Sequence, residues 1–158
     1  MTDGLLETLA AERAIRRLIS LYCDGVRRRD ADAVGELFAP DARVKIADMP
    51  ERVGRTEIVE GLRRTISNFS YLHQTCDTGL IDVDGDFARA RHGVVEANRP
   101  NGSDNLNVIF GAYEDEYRRL EAGWRFHRRR FGLQLRVLLP ASDLQEFPAV
   151  AAAFSFAP

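Results

Sequence analysis

The stretch from Glu12 to Val44 constrains the fold more than any other part of the chain. Ile15, Leu18, Ile19, Tyr22 and Val26 recur at the spacing of one helix face, and an apolar stripe of that length must be buried against something. Asp30, after the run Arg27–Arg29, stands where a helix cap is needed, because its carboxylate can accept the free amide hydrogens of the next turn. Val34, Leu37 and Phe38 supply a second, shorter stripe, which Pro40 and Asp41 end. The order predicts a long helix over Leu5–Val26, a short helix over Asp30–Phe38 and a strand over Ala42–Ile46.

Thr56 is placed to cap a third helix, in which Ile58, Val59, Leu62, Ile66 and Phe69 keep helical spacing. The period then changes to two. Leu80–Val83 and Phe87–Asn98 flank Asp84-Gly85-Asp86, and Asp-Gly tolerates the positive φ of a tight hairpin turn. Arg99–Asp104 reads as a loop, and Asn105–Arg119 and Trp124–Leu135 read as two more strands joined at Glu121–Gly123. These elements predict an α+β fold, a cone-shaped, curved, mostly antiparallel sheet closed by three N-terminal helices. Residues 1–158 are expected to form a single domain with a core over about 8–135. In the tail, Leu144, Phe147, Val150, Phe154 and Phe156 call for packing on this chain or on a neighbour.

Charge narrows the function. The 22 basic residues do not exceed the 24 acidic ones, so the chain lacks the basic excess that a nucleic-acid surface requires. No apolar run approaches the roughly 20 residues of a membrane span, and the first residues lack a secretory profile, so a cytoplasmic protein without a membrane partner is expected. Cys23 and Cys76 make no metal-ligand spacing and read as small buried hydrophobes. His73, His92 and His127 form no paired motif, and there is no phosphate-binding loop, dinucleotide fingerprint or nucleophile elbow. Neither metal nor cofactor is expected.

Alternation along the strands picks out the candidate site. His92, Val94, Glu96 and Asn98 share one face of their strand, and Gly111, Tyr113, Asp115 and Tyr117 share one face of the next, whereas Glu114, Glu116 and Arg118 face solvent. Tyr, Asp and Tyr on an inward face are either a paired core network or a site. His73, in Ser70–Thr75, carries the side chain whose ordinary pKa best suits a general base. The runs Arg27–Arg29 and Arg128–Arg130 read as solvated faces or as clamps for planar anions.

Ile15–Tyr22, Arg29–Ala42, Val83–Arg91, Gly111–Tyr117 and Gly123–Phe126 resemble, in order and spacing, the SnoaL-like polyketide cyclase and dehydratase branch of the nuclear transport factor 2-like superfamily. The resemblance implies a cystatin-like α+β barrel. It also implies the chemistry of relatives such as scytalone dehydratase, bile-acid dehydratase and ketosteroid isomerase, which abstract a proton next to a carbonyl and hold the enolate with hydroxyl donors. By that likeness Tyr22 falls on a functional tyrosine, His73 on a catalytic histidine, and Asn98 on a second histidine of the dehydratase pattern. The dehydratases' catalytic aspartate falls on Arg27 and the isomerase's base on about Ile46, so neither constellation is intact and His73 needs another carboxylate. Asp24, Glu96 and Asp115 are the candidates. Asp24 is about 200° round the helix from Tyr22 and reaches the pocket only if the helix ends early.

The resulting expectation is a cofactor-independent lyase or isomerase acting on an aromatic, polyketide-like or steroid-like carbonyl compound. His73 is its base, Tyr22 and Tyr113 are oxyanion donors, and Asp115 or Glu96 orients the histidine. Asn98, Glu96, Arg27 and Asp24 are substrate contacts. The alternatives are a non-catalytic ligand carrier or assembly subunit of the same fold, or an epoxide hydrolase drawing an Asp-Arg-Asp set from Arg91, Arg128, Asp115 and Glu96. A homo-oligomer, dimer or trimer, is expected in each case.

Overall fold

The computed structural model describes residues 2–145. Helix α1 (Thr2–Arg28) buries Ile15, Leu18, Ile19, Tyr22 and Val26 along the predicted face, joined by Ala11 and Cys23. Among the described residues no helix is long and apolar enough to cross a membrane. At its end Arg29 takes a left-handed backbone, φ 61°, and its guanidinium donates to the carbonyls of Ile66, Phe69 and Ser70 at 3.1, 2.8 and 2.9 Å. Asp30 caps α2 (Ala31–Gly35), accepting the Ala33 N–H at 2.9 Å. This helix is shorter than its apolar stripe predicts, because Phe38 already opens strand β1 (Phe38–Ile46). Pro40 lies where the pairing of β1 is irregular, so its missing N–H removes no ladder bond.

After β2 (Arg52–Val53), helix α3 (Arg55–Ser67) starts from Gly54 rather than from Thr56, and Glu57 accepts the Val53 N–H at 3.0 Å. Helical spacing runs on to Phe69, but the helix stops at Ser67 and Phe69 begins strand β3 (Phe69–Cys76). The remaining strands are β4 (Leu80–Asp84), β5 (Phe87–Pro100), β6 (Asn105–Leu120) and β7 (Gly123–Pro140). The sheet runs β2-β1-β7-β6-β5-β3, with β4 also paired to β5; β1 and β7 are parallel and the other pairs antiparallel. It is a curved mixed sheet that does not close on itself. The helices cover its concave face, and the core of Leu18, Tyr22, Phe38, Tyr117 and Phe126 fills the space between.

Two local features fix what points into that space. The first is Gly79, between β3 and β4, with φ 69°; a Cβ there would run into the buried ring of His92 and the Arg91 carbonyl. Gly79→Ala is therefore expected to lose about 1–2 kcal/mol from the left-handed backbone alone, and more from displacing His92, measured by urea unfolding. The second is a bulge in β7. Tyr117 pairs with Phe126 but Glu116 pairs with Arg128, leaving His127 as an extra residue. Trp124 and Phe126 point inward before it, and Arg129 and Phe131 after it, so the inward parity reverses within the strand.

On the face turned away from the helices, Val95, Phe110 and Leu135 are cross-strand neighbours and remain 42%, 39% and 55% exposed. Leu144 of the tail is exposed, and Phe147, Val150, Phe154 and Phe156 lie outside the described residues.

Candidate active site

A cavity of about 240 Å³ opens between α1, α3 and the concave face of the sheet. Its walls are largely apolar, among them Val26, Phe38, Ile58, Leu62, Ile109 and Phe131. Arg52 and Thr65 also line it, and the remaining polar groups converge from four elements. Glu96 and Asn98 come from β5, Gln74 from β3, Tyr113 from β6 and Tyr22 from α1. Register explains the grouping, since Gln74 lies opposite Glu96 across β3 and β5.

Glu96 is the centre of this group. Gln74 Nε2 donates to its Oε2 at 2.8 Å and Asn98 Nδ2 to its Oε1 at 2.7 Å, while Asn107 Nδ2 donates to Asn98 Oδ1 at 2.8 Å and so fixes which way that amide points. Burial raises the Glu96 carboxyl above the usual carboxylate range, and the two amide donors only partly offset it. Each carboxylate oxygen therefore keeps acceptor capacity beyond its one amide bond. Gln74 Nε2 also reaches the Tyr113 hydroxyl at 3.2 Å, while the buried Gln74 Oε1 has no partner among the described residues.

Beneath the two tyrosines lies a second network. Arg129 Nε and Nη2 donate to the two oxygens of Asp115 at 2.8 and 2.7 Å, a bidentate pair with both side chains 0% exposed. The Tyr117 hydroxyl donates to Asp115 Oδ2 at 3.0 Å and lies 3.3 Å from His92 Nε2. The Arg129 guanidinium carbon sits 4.2 Å from the Tyr22 ring centre and 3.9 Å from that of Tyr113, a stacked cation at the base of both phenols. Burial raises Tyr22 and Tyr113 above the ordinary phenol range despite that cation, so both stay protonated and act as O–H donors. Burial holds His92 below its usual value, although Asp115 opposes the shift.

Of the residues picked out by sequence, Tyr22, Tyr113, Glu96 and Asn98 meet at the cavity. Asp115 sits behind it, paired with the Arg129 that stacks on the Tyr22 and Tyr113 rings. His73 does not join them. It is exposed on the opposite face of β3, because inward parity in that strand belongs to Leu72 and Gln74. Asp24 and Arg27 are also elsewhere: α1 runs on to Arg28, and Asp24 is held at the surface by Arg28 at 2.8 Å and Arg27 at 3.9 Å. Arg91 and Arg128 are exposed on the outer face, so they assemble no Asp-Arg-Asp set with Asp115 and Glu96. Gln74 and Arg129 are the site residues missed. Alternation from Leu72 finds Gln74 once β3 is recognised as a strand, whereas nothing in the alternation of β7 announces the bulge that turns Arg129 inward.

By sequence, the profile of a family described as a SnoaL-like domain matches residues 7–130. No match to a curated protein was found. Among solved structures, the chain is similar to a candidate scytalone dehydratase from Novosphingobium aromaticivorans DSM 12444, at 21% identity over 97% of this chain and 99% of that one, with a TM-score of 0.76. It is similar to a nuclear transport factor 2-like protein with a cystatin-like fold from Novosphingobium aromaticivorans, at 25% identity over 84% and 87% of the two chains, TM-score 0.73. It is also similar to a hexachlorocyclohexane dehydrochlorinase, LinA type 3, from Novosphingobium barchaimii LL02, at 17% identity over 91% and 99%, TM-score 0.81.

Proposed function

The chain belongs to the SnoaL-like domain family, and from that premise we propose that it is a cofactor-independent lyase or isomerase in which Glu96 abstracts a proton from carbon next to a carbonyl. One observation carries the reading. A single carboxylate with a raised pKa faces a largely apolar cavity, flanked by two phenols that stay protonated. A base in such a place is stronger than in water, and donors already aimed at the developing oxyanion need no reorganisation.

Gln74 and Asn98 hold the Glu96 carboxylate in one orientation, and Tyr113, with Tyr22, donates to the substrate oxygen as it gains charge. The Arg129 cation stacked under both phenol rings favours that charge without touching the substrate. The largely apolar walls favour a ring-sized molecule, and filling the cavity with it excludes the water that would weaken these interactions. The outer row Val95, Phe110 and Leu135 supports self-association of the enzyme.

The test is proton exchange. A bicyclic aromatic ketone such as 2-tetralone, incubated with the protein in deuterated buffer and followed by NMR, is expected to exchange its α-hydrogens faster than in buffer alone. Thermal stabilisation by the ketone without exchange would make the cavity a carrier site. Activity is also expected to rise with pH through one ionisation lying above the ordinary carboxylate range, since Glu96 must lose its proton to work and burial raises its pKa. His73→Ala is expected to leave that limb and the rate unchanged; loss of either would return the histidine to the mechanism.

A further inference from the structure

A second cleft, about 210 Å³, lies on the other side of α1 from the cavity and is lined by Arg16, Ser20, Cys23, Arg27 and Cys76. Cys23 comes from α1 and Cys76 from the end of β3, 53 residues apart in sequence, yet their sulfur atoms are 3.4 Å apart. Both are free thiols, and the chain has no other cysteine. Neither lines the Glu96 cavity. A disulfide requires the sulfurs to be about 2 Å apart, so little more than an ångström separates this pair from bonding distance.

We infer that Cys23 and Cys76 form a redox-active dithiol, which a hydroperoxide converts to an intramolecular disulfide joining α1 to β3. The Cys23 sulfur, as thiolate, attacks the terminal oxygen of the peroxide; the O–O bond breaks, and the leaving hydroxide or alkoxide takes up a proton. Cys76 sulfur then attacks the resulting sulfenic acid, forming the S–S bond and releasing water with the Cys76 proton. Two electrons pass from the thiols to the peroxide. The order follows from the surroundings. With Cys23 as thiolate, Cys76 S–H becomes its hydrogen-bond donor; that contact, with Arg129 and Arg27, lowers the Cys23 pKa against burial, whereas the same contact and burial together raise that of Cys76 although Arg129 opposes it. Tyr22 adjoins Cys23 and Gln74 lies two residues before Cys76, so the new bond would lie along the wall that presents both to the cavity.

The experiment uses the full folded chain. It is treated with hydrogen peroxide, quenched with iodoacetamide in denaturant, and weighed by intact mass spectrometry with peptide mapping. Loss of two hydrogens, a fall from two alkylated cysteines to none, a Cys23–Cys76 peptide and reversal by dithiothreitol are expected. Both thiols still alkylated, stable addition of oxygen to either sulfur, or a disulfide between chains would overturn the inference. Cys76→Ser is expected to lose the two-hydrogen product and show oxygen added at Cys23; should that variant not fold, the wild-type result alone decides.

Discussion

Glu96→Gln is expected to lower turnover by about 10²–10⁴-fold while the protein stays folded, because the amide keeps the shape of the side chain and loses its basicity. The surroundings can accept the exchange. Asn98 Nδ2 would still donate to the new carbonyl oxygen, and Gln74, whose Oε1 is buried without a partner among the described residues, can turn to accept from the new amide group. Stability should move opposite to activity. Between the ordinary carboxyl pKa and the raised value in the fold, the native state binds more protons than the unfolded chain, so stability falls as pH rises through the folded pKa. Above the folded pKa the wild type carries that penalty in full and the glutamine variant does not. A melting temperature equal to or above wild type at neutral pH, with the difference disappearing in acid, is the signature to look for alongside the rate. Near-wild-type turnover would remove Glu96 from the chemistry, and a large loss of stability would show that the carboxylate serves the fold.

The parts of this site legible in the sequence are those whose period is unbroken. Tyr113, Asp115 and Tyr117 alternate without interruption through β6, and His92, Val94, Glu96 and Asn98 do so through β5, so simple alternation places them on the buried face. Tyr22 belongs to a helical stripe with four apolar companions and is placed as securely. Illegibility has equally specific causes. β3 follows α3 after a single residue, Asn68, and Ile66 and Phe69 satisfy the helical spacing together, so the strand is hidden and His73 is taken for an inward residue in place of its neighbour Gln74. Arg129 sits among three arginines of which the outer two are exposed, and only an extra residue at His127 distinguishes the middle one. The sequence resemblance put a histidine base in the pocket; the residue that the fold delivers there is a carboxylate on the next strand.

Removing one member of the Asp115–Arg129 pair is expected to be the most destabilising change in this protein, about 3–5 kcal/mol for Arg129→Met or Asp115→Leu in urea unfolding. The magnitude follows from what is left behind. Both side chains are fully buried, so Asp115→Leu strands a guanidinium packed against Tyr22, Tyr113 and Phe126, and Arg129→Met strands a carboxylate with only the Tyr117 hydroxyl to solvate it. Changing both together removes the uncompensated charge along with its partner, and the double variant should recover most of the loss, because buried ion pairs contribute little beyond what a well-packed apolar pair supplies. Additive losses would show instead that each side chain stabilises the fold through separate contacts. The double variant also separates fold from function. It retains Glu96, Gln74, Asn98 and both tyrosines but places no cation under the phenol rings, so a slower proton exchange at restored stability is the expected effect of Arg129 on the developing oxyanion. Wild-type rates in that variant would confine Arg129 to packing the floor of the cavity.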